Sequence, residues 1–241
     1  MARTWIGSNP IENTLLQAFS AADVQFSKLL QSEIHSHEEK LTDFFVSYLV
    51  SKAVEAQEVI RSWKKALADQ PWEISVEHQD ASGWRGKEYS ADLAFLLSIS
   101  SKERMERKKA ILVQTKKINV EVSESNISFL DSWSVDFLQA ERLSTITPFG
   151  YYFLYGPHYN GTLTRVTPAR SVIGILNAIG RRSRLPILHV LGASKPLAEF
   201  LVYDFIGCWI GDHSHKAIRI AEGEDNQTMA RYAIRIDISR K

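Results

Sequence analysis

Asp92-Leu93-Ala94-Phe95-Leu96-Leu97 and, after a charged turn, Ile111-Leu112-Val113-Gln114-Thr115-Lys116 decide how this chain is read. Both are apolar runs of strand length. Each carries polar residues that a buried strand does not need for packing. Side chains alternate along a strand, so Gln114 and Lys116 share one face. Asp92 opens the first run, and a hairpin through residues 100–109 brings it to the same end. A carboxylate, an amide oxygen and an ammonium converging on one sheet face suit a divalent cation and an activated water, the needs of phosphodiester hydrolysis.

Working outward, Glu73-Ile74-Ser75-Val76-Glu77 is a further strand upstream, with Gly83 and Gly86 punctuating the connection to Asp92. Two helices precede it. Leu15, Leu16, Phe19, Val24, Phe26, Leu29 and Leu30 form an apolar stripe that predicts a helix from Ile11 to about Gln31. Leu41, Phe44, Phe45, Tyr48, Leu49 and Val54 predict a second from Glu38 to Leu67, with Pro71 ending the region. Downstream, Trp133, Phe137, Leu138 and Leu143 give helical spacing over Ser132 to Ile146. The aromatic run Tyr151 to Tyr155, closed by Gly156-Pro157, reads as a strand. Pro168 starts a helix through Val172, Ile175, Leu176 and Ile179. Ile187 to Val190 reads as a short strand, Leu197 to Trp209 as a buried helix, and Arg231 to Ile238 as an alternating edge strand.

The chain has 241 residues, enough to bury roughly 70% of its unfolded surface without disulfide or structural-metal support. No linker-like run divides it, so it is read as one α/β domain over residues 1–241, with residues 157–241 packed onto the rest. Lysine and arginine number 29 against 28 aspartates and glutamates, so net charge alone gives no case for a nucleic-acid partner. One cysteine, Cys208, excludes an internal disulfide and suits a reducing compartment. No apolar leader follows Met1, and the stretch Pro196 to Ile210 is interrupted by Glu199 and Asp204. It is too short to span a bilayer. A cytoplasmic location away from membranes is the expectation.

The order helix, three strands, helix, strand, with Asp92 on the second strand and Gln114-Thr115-Lys116 on the third, resembles the PD-(D/E)xK nuclease superfamily. Specifically it looks like the Gln-x-Lys branch that includes Mrr-type restriction nucleases and related prokaryotic defence nucleases. The similarity covers about residues 38–156. Four phrases carry it in order: Glu39-Lys40-Leu41-Thr42-Asp43, Glu88-Tyr89-Ser90-Ala91-Asp92, Val113-Gln114-Thr115-Lys116-Lys117, and Gln139-Ala140-Glu141-Arg142-Leu143 leading to Tyr151-Tyr152-Phe153-Leu154-Tyr155. The resemblance implies a restriction-endonuclease-like core with a mixed sheet, and a C-terminal α/β extension over residues 157–241. It implies DNA as substrate, with RNA as an alternative backbone, and Mg²⁺ as cofactor with Mn²⁺ as a substitute. A homo-oligomer or a partner protein of a defence system belongs to the same expectation.

On that resemblance Asp92 is the main metal-binding carboxylate, Gln114 adds a side-chain oxygen, and Thr115 offers its carbonyl. Lys116 orients the attacking water, Glu39 binds the ion directly or through water, and Glu88 is a lesser contributor. Mg²⁺ takes hard oxygen ligands and keeps several waters, so one or two carboxylates suffice. Ala91 replaces the name-giving proline, and Gln114 replaces an acid, removing one negative charge.

Each residue also has an ordinary explanation. Asp92 alone could cap a strand, Lys116-Lys117 could end one in solvent, and Glu39 suits a helix N-terminus whatever its function. Glu55 and Glu58 are alternative acids on the same helix. Lys102, Arg104, Arg107, Lys108 and Lys109 read as a charged hairpin tip, solvated or tracking a DNA backbone. Arg181-Arg182-Ser183-Arg184 either complements a helix C-terminus or meets phosphate. His35-Ser36-His37 and His213-Ser214-His215 are loop histidines more readily than a zinc site, which needs further ligands. An inactive binding module on the same fold is the rival from another class, in which Asp92 pairs with Lys116.

Overall fold

A computed structural model describes residues 9–33, 36–66, 72–80, 88–101, 104–123, 126–159, 162–180, 183–207, 210–225 and 228–240. The two apolar stripes form α1 (Asn9–Ser32) and α2 (Glu38–Ala66). The three strand-like runs are the cores of β1 (Trp72–Asp80), β2 (Glu88–Ser101) and β3 (Arg104–Ser123). β4 (Asn126–Ser134), α3 (Phe137–Ile146) and β5 (Gly150–Tyr159) follow. The C-terminal third supplies β6 (Thr162–Pro168), α4 (Ala169–Ala178), β7 (Arg184–Pro186), α5 (Ile187–Leu191), β8 (Lys195–Pro196), α6 (Leu197–Glu199), α7 (His215–Ala221) and β9 (Thr228–Arg240). Among the described residues the architecture is α/β around an open, mixed sheet of nine strands, with the order β1-β9-β2-β3-β5-β6-β8 along its main path. Among the described residues, no helix is long and apolar enough to cross a membrane.

β2 and β3 are antiparallel, Leu93 opposite Val113, and β5 runs parallel to β3 with Tyr152 beside Gln114. These central strands are covered on both faces, which explains their near-continuous apolar sequence. Leu93, Phe95, Leu97, Ile111 and Val113 face α1 and α2, where Phe45 packs 6.1 Å from Phe153 and 5.2 Å from Tyr155 between ring centroids. Ala94, Leu96, Ala110 and Leu112 face the opposite layer, built from α3, α4 and α7. The close approach of α3 to β5 depends on Gly150, since a β-carbon there would stand 2.6 Å from Leu143 Cγ.

Four expectations are corrected. Ser132 to Ile146 is not one helix: Trp133 lies in β4, with its indole nitrogen donating to the Tyr155 carbonyl at 2.8 Å. The helix begins only where Asp136 caps it, accepting from the Leu138 amide at 2.8 Å. Ile187 to Val190 is helical, because a short apolar run does not by itself distinguish strand from helix and Pro186 starts a turn there. The aromatic strand does not close at Gly156-Pro157 but continues to Tyr159.

The fourth correction matters most for the site. β9 is not an edge strand. It lies between β1, to which it is antiparallel, and β2, to which it is parallel. Alternation reports that one face of a strand is wet, not that the strand lies at an edge. Tyr232, Ile234, Ile236 and Ile238 are buried against the helices, while Arg231, Arg235 and Asp237 are partly exposed on the other face. The last third of the chain is therefore woven into the sheet.

Candidate active site where the β2–β3 pairing ends

Asp92 is an interior residue of β2, which starts four residues earlier than the apolar run suggests. Its Oδ2 accepts the Thr115 amide at 2.8 Å and the Thr115 hydroxyl at 3.2 Å. Among the described residues both hydrogen bonds to this carboxylate fall on Oδ2. The Thr115 hydroxyl also meets that of Thr42 at 2.9 Å, tying α2 to β3.

Gln114 is buried, and both halves of its amide are engaged, as burial requires. Its Nε2 donates to the Ser90 carbonyl at 3.2 Å, and its Oε1 accepts from Gln139 Nε2 on α3 at 2.8 Å. A carbonyl can only accept, so Ser90 sets the orientation of Gln114 and, through it, that of Gln139. Gln139→Leu is expected to strand the buried Gln114 oxygen and cost about 1–3 kcal/mol. Calorimetric melting of the variant checks this, and an unchanged profile would mean that Gln114 finds another donor.

Lys116 lies on the same face as Gln114, as alternation requires, but its partner is neither Asp92 nor Glu39. Its Nζ pairs with Glu38 Oε1 at 2.8 Å, and Glu38 Oε2 accepts the Lys117 amide at 3.2 Å. Glu38 is the first residue of α2, where the helix dipole favours a carboxylate. Lys117 Nζ reaches the Ser36 carbonyl at 2.8 Å, so the start of α2 is clamped to the Gln-x-Lys strand. Glu39 pairs instead with Arg231 of β9 at 2.8 Å. The Asp92–Lys116 pair on which an inert module would rest is absent among the described residues.

Glu55 and Glu58 pair with Lys52 and Arg61 further along α2 and take no part. The side chain of Glu88 lies outside what is described, as do Lys102, Arg181, Arg182, His35 and Cys208. The basic tip also needs correction: β3 starts at Arg104, so Lys108 and Lys109 are strand residues. Lys108 pairs with Glu222 at 3.0 Å and Lys109 is buried. His213 Nδ1 meets the Lys108 carbonyl at 2.8 Å.

A polar groove opens beside these groups. Lys116, Ser134, Asp136, Gln139 and Arg184 line one part of it. A neighbouring hollow shares Asp136 and Gln139 and adds Ser90, Gln114, Arg142 and Thr228. Tyr152 stands on β5 beside Gln114, fully buried, and its hydroxyl has no hydrogen-bond partner among the described residues. Burial first, then the carboxylates of Asp136, Asp92 and Glu38, push this phenol well above its usual range. The orphaned Tyr152 hydroxyl and the Asp92 carboxylate are hard oxygen donors of the kind a hydrated cation takes. Among the described residues, no three Asp, Glu, His or Cys side chains gather closely enough to hold a metal alone. A cation here would therefore depend on Asp92, amide and carbonyl oxygens, water and substrate.

No model of a known protein family matches the chain, and no characterised protein or solved structure does. Sequence reasoning missed Glu38, Gln139 and Arg231. Glu38 was visible as an acid at a helix start, but the choice between adjacent Glu38 and Glu39 depends on how α2 is rotated against the sheet. Arg231 had no local signal, because only the β9 register brings it near Asp92.

Proposed function

We propose that this chain is a metal-dependent nuclease hydrolysing phosphodiester bonds in DNA, with a restriction-endonuclease-like core. The observation that carries the proposal is that Asp92, Gln114 and Lys116 follow directly on Leu93 and Val113, where the pairing of β2 and β3 ends. There Asp92 is fixed by Thr115 through Oδ2, and Lys116, held by Glu38, lines a polar groove with Arg184. The element order also supports it: α2, β1, β2, β3, α3 and β5 follow in the expected sequence with β4 as an insertion, and β5 is parallel to β3. A role in prokaryotic defence rests on the resemblance to Mrr-type nucleases alone.

Asp92 Oδ1 would hold Mg²⁺ or Mn²⁺, with the Gln114 amide oxygen or the Thr115 carbonyl as a further ligand. Such an ion polarises a phosphoryl oxygen and lowers the pKa of bound water. The chain's own residues supply position and charge. Thr115 fixes the Asp92 carboxylate through a backbone amide that cannot rotate away. Glu38 holds the Lys116 ammonium at the groove, where it can orient the attacking water and offset charge on the phosphate. Gln139 holds Gln114 in one orientation, and its grip on Oε1 is the observation that favours the rival, an inactive binding module.

Incubation of supercoiled plasmid with the protein and Mg²⁺, Mn²⁺ or chelator tests the proposal, with Asp92→Asn as control. Metal-dependent nicking lost in the variant is the expected result. Intact plasmid together with no metal-dependent rise in melting temperature would overturn it in favour of the binding module. RNA cut while plasmid stays intact would reassign the substrate.

A further inference from the structure

β9 lies outside the helix-and-strand order on which the nuclease proposal rests, yet it carries a cation into the site. Ala230 faces Ala91 and Tyr232 faces Leu93 across the parallel ladder, so Arg231 stands directly beside Asp92. Its Nη1 pairs with Glu39 Oε1 at 2.8 Å; the arginine side chain is 19% exposed and the glutamate 70%. Burial works against the guanidinium charge, but the Glu39 hydrogen bond and charge, then the field of Asp92, more than compensate. One guanidinium thus pairs with an acid loose in solvent and stands on the ladder beside another that is fixed in the sheet.

That arrangement has two chemical consequences. An ion pair with one highly exposed partner contributes little, so Glu39 is easily exchanged for another oxyanion. A planar guanidinium matches the paired oxygens of a phosphate, which Glu39 only imitates. While Arg231 remains among the carboxylates, its positive charge also opposes a divalent cation at Asp92. The site is already short of negative charge, because Gln114 stands where an acid would add one.

We propose that Arg231 is a substrate-contact residue that exchanges Glu39 for a backbone phosphate of the bound nucleic acid, and that this exchange raises the affinity of the Asp92 site for a divalent cation. Substrate and metal then bind cooperatively, and the free protein holds metal weakly. Coupling of this kind is reciprocal, so metal tightens nucleic-acid binding by the same factor. The inference rests on the nuclease reading of the site.

The test uses full-length protein in a Lys116→Ala background, so that a short DNA duplex stays uncut. Binding by fluorescence anisotropy in chelator, across a salt series, is compared for Arg231 and Arg231→Gln. The variant should bind about tenfold more weakly, and its slope of log affinity against log salt should shrink by about one. Without DNA, Mn²⁺ should raise the melting temperature more in Arg231→Gln than in its parent, and added DNA should no longer enhance that rise. Arg231→Lys, which keeps the charge but not the planar fork, should bind DNA with intermediate affinity and holds the test open if the glutamine variant misfolds. Unchanged DNA affinity and salt slope, with equal Mn²⁺ stabilisation, would overturn the role of Arg231 and leave the nuclease proposal standing. Absence of Mn²⁺ stabilisation from every protein, with or without DNA, would remove the metal site and both proposals with it.

Discussion

On the nuclease proposal, Lys116→Ala is expected to slow phosphodiester cleavage by about 10²-fold or more while the chain stays folded. The rate effect follows from position. Lys116 shares a face with Gln114, borders the polar groove, and is held at its tip by Glu38 at 2.8 Å. A point charge placed beside a developing phosphorane and an attacking water acts mainly in the transition state, so its loss falls on kcat. The fold survives for a separate reason. The lysine side chain is only partly buried, and the carboxylate it leaves behind retains the Lys117 amide and the N-terminus of α2. Plasmid cleavage at saturating Mg²⁺, read beside a melting curve, checks both halves. A folded variant of undiminished rate would remove Lys116 from the chemistry, and an unfolded one would make it a structural residue.

Lys109→Met is expected to lower stability by about 3 kcal/mol, from the loss of two charge-assisted hydrogen bonds to buried carbonyls at about 1.5–3 kcal/mol each. For a chain of this size that corresponds to a fall of roughly 6–12 °C in melting temperature. Lys109 is 2% exposed, and its ammonium donates to the carbonyls of Phe205 and Ile210 while lying 5.0 Å from the centre of the Phe205 ring. α6 runs on into a π-helical segment, Phe200–Ile206, and the chain then turns back to β3, where Asp212 exchanges two backbone hydrogen bonds with Ala110 at 2.8 and 2.9 Å. Gly211 makes that turn possible with φ of +134°, and a β-carbon there would stand 2.5 Å from Lys109 Cδ. Methionine preserves most of the packing volume but supplies no N–H. Burying an ammonium is itself costly, so replacing lysine and carbonyls together could be neutral. Replacing the lysine alone is not. Urea denaturation measures the effect, and a loss below about 1 kcal/mol would show that water or another donor takes over the carbonyls.

Lys109 also shows why the site was only half legible. In sequence it belongs to a run of cations, and a run of cations suggests a solvated tip. In the fold Ser101 already pairs with Arg104, and alternation carries Lys109 inward beside Ile111 and Val113. Gln114 was legible for the opposite reason. A lone amide after Ile111-Leu112-Val113 is conspicuous, and the structure gives it the partners that its burial demands. Glu39 illustrates the limit of a local motif: it occupies the expected phrase but turns to Arg231, while its neighbour Glu38 reaches Lys116.

Local periodicity determined the elements that depend on it. The stripes of α1 and α2, the doubly buried strands β2 and β3, the aromatic strand β5 and the helix after Pro168 all follow from which side chains leave water together. The shared face of Gln114 and Lys116 follows from the two-residue repeat of any strand. Tertiary structure alone decided the rest. Insertion of β9 between β1 and β2, delivery of Arg231 to Asp92, the choice of Glu38 over Glu39 and the burial of Lys109 each join residues far apart in the chain or fix the rotation of one element against another. Such contacts leave no periodic trace, because their energy arises only when separate elements meet.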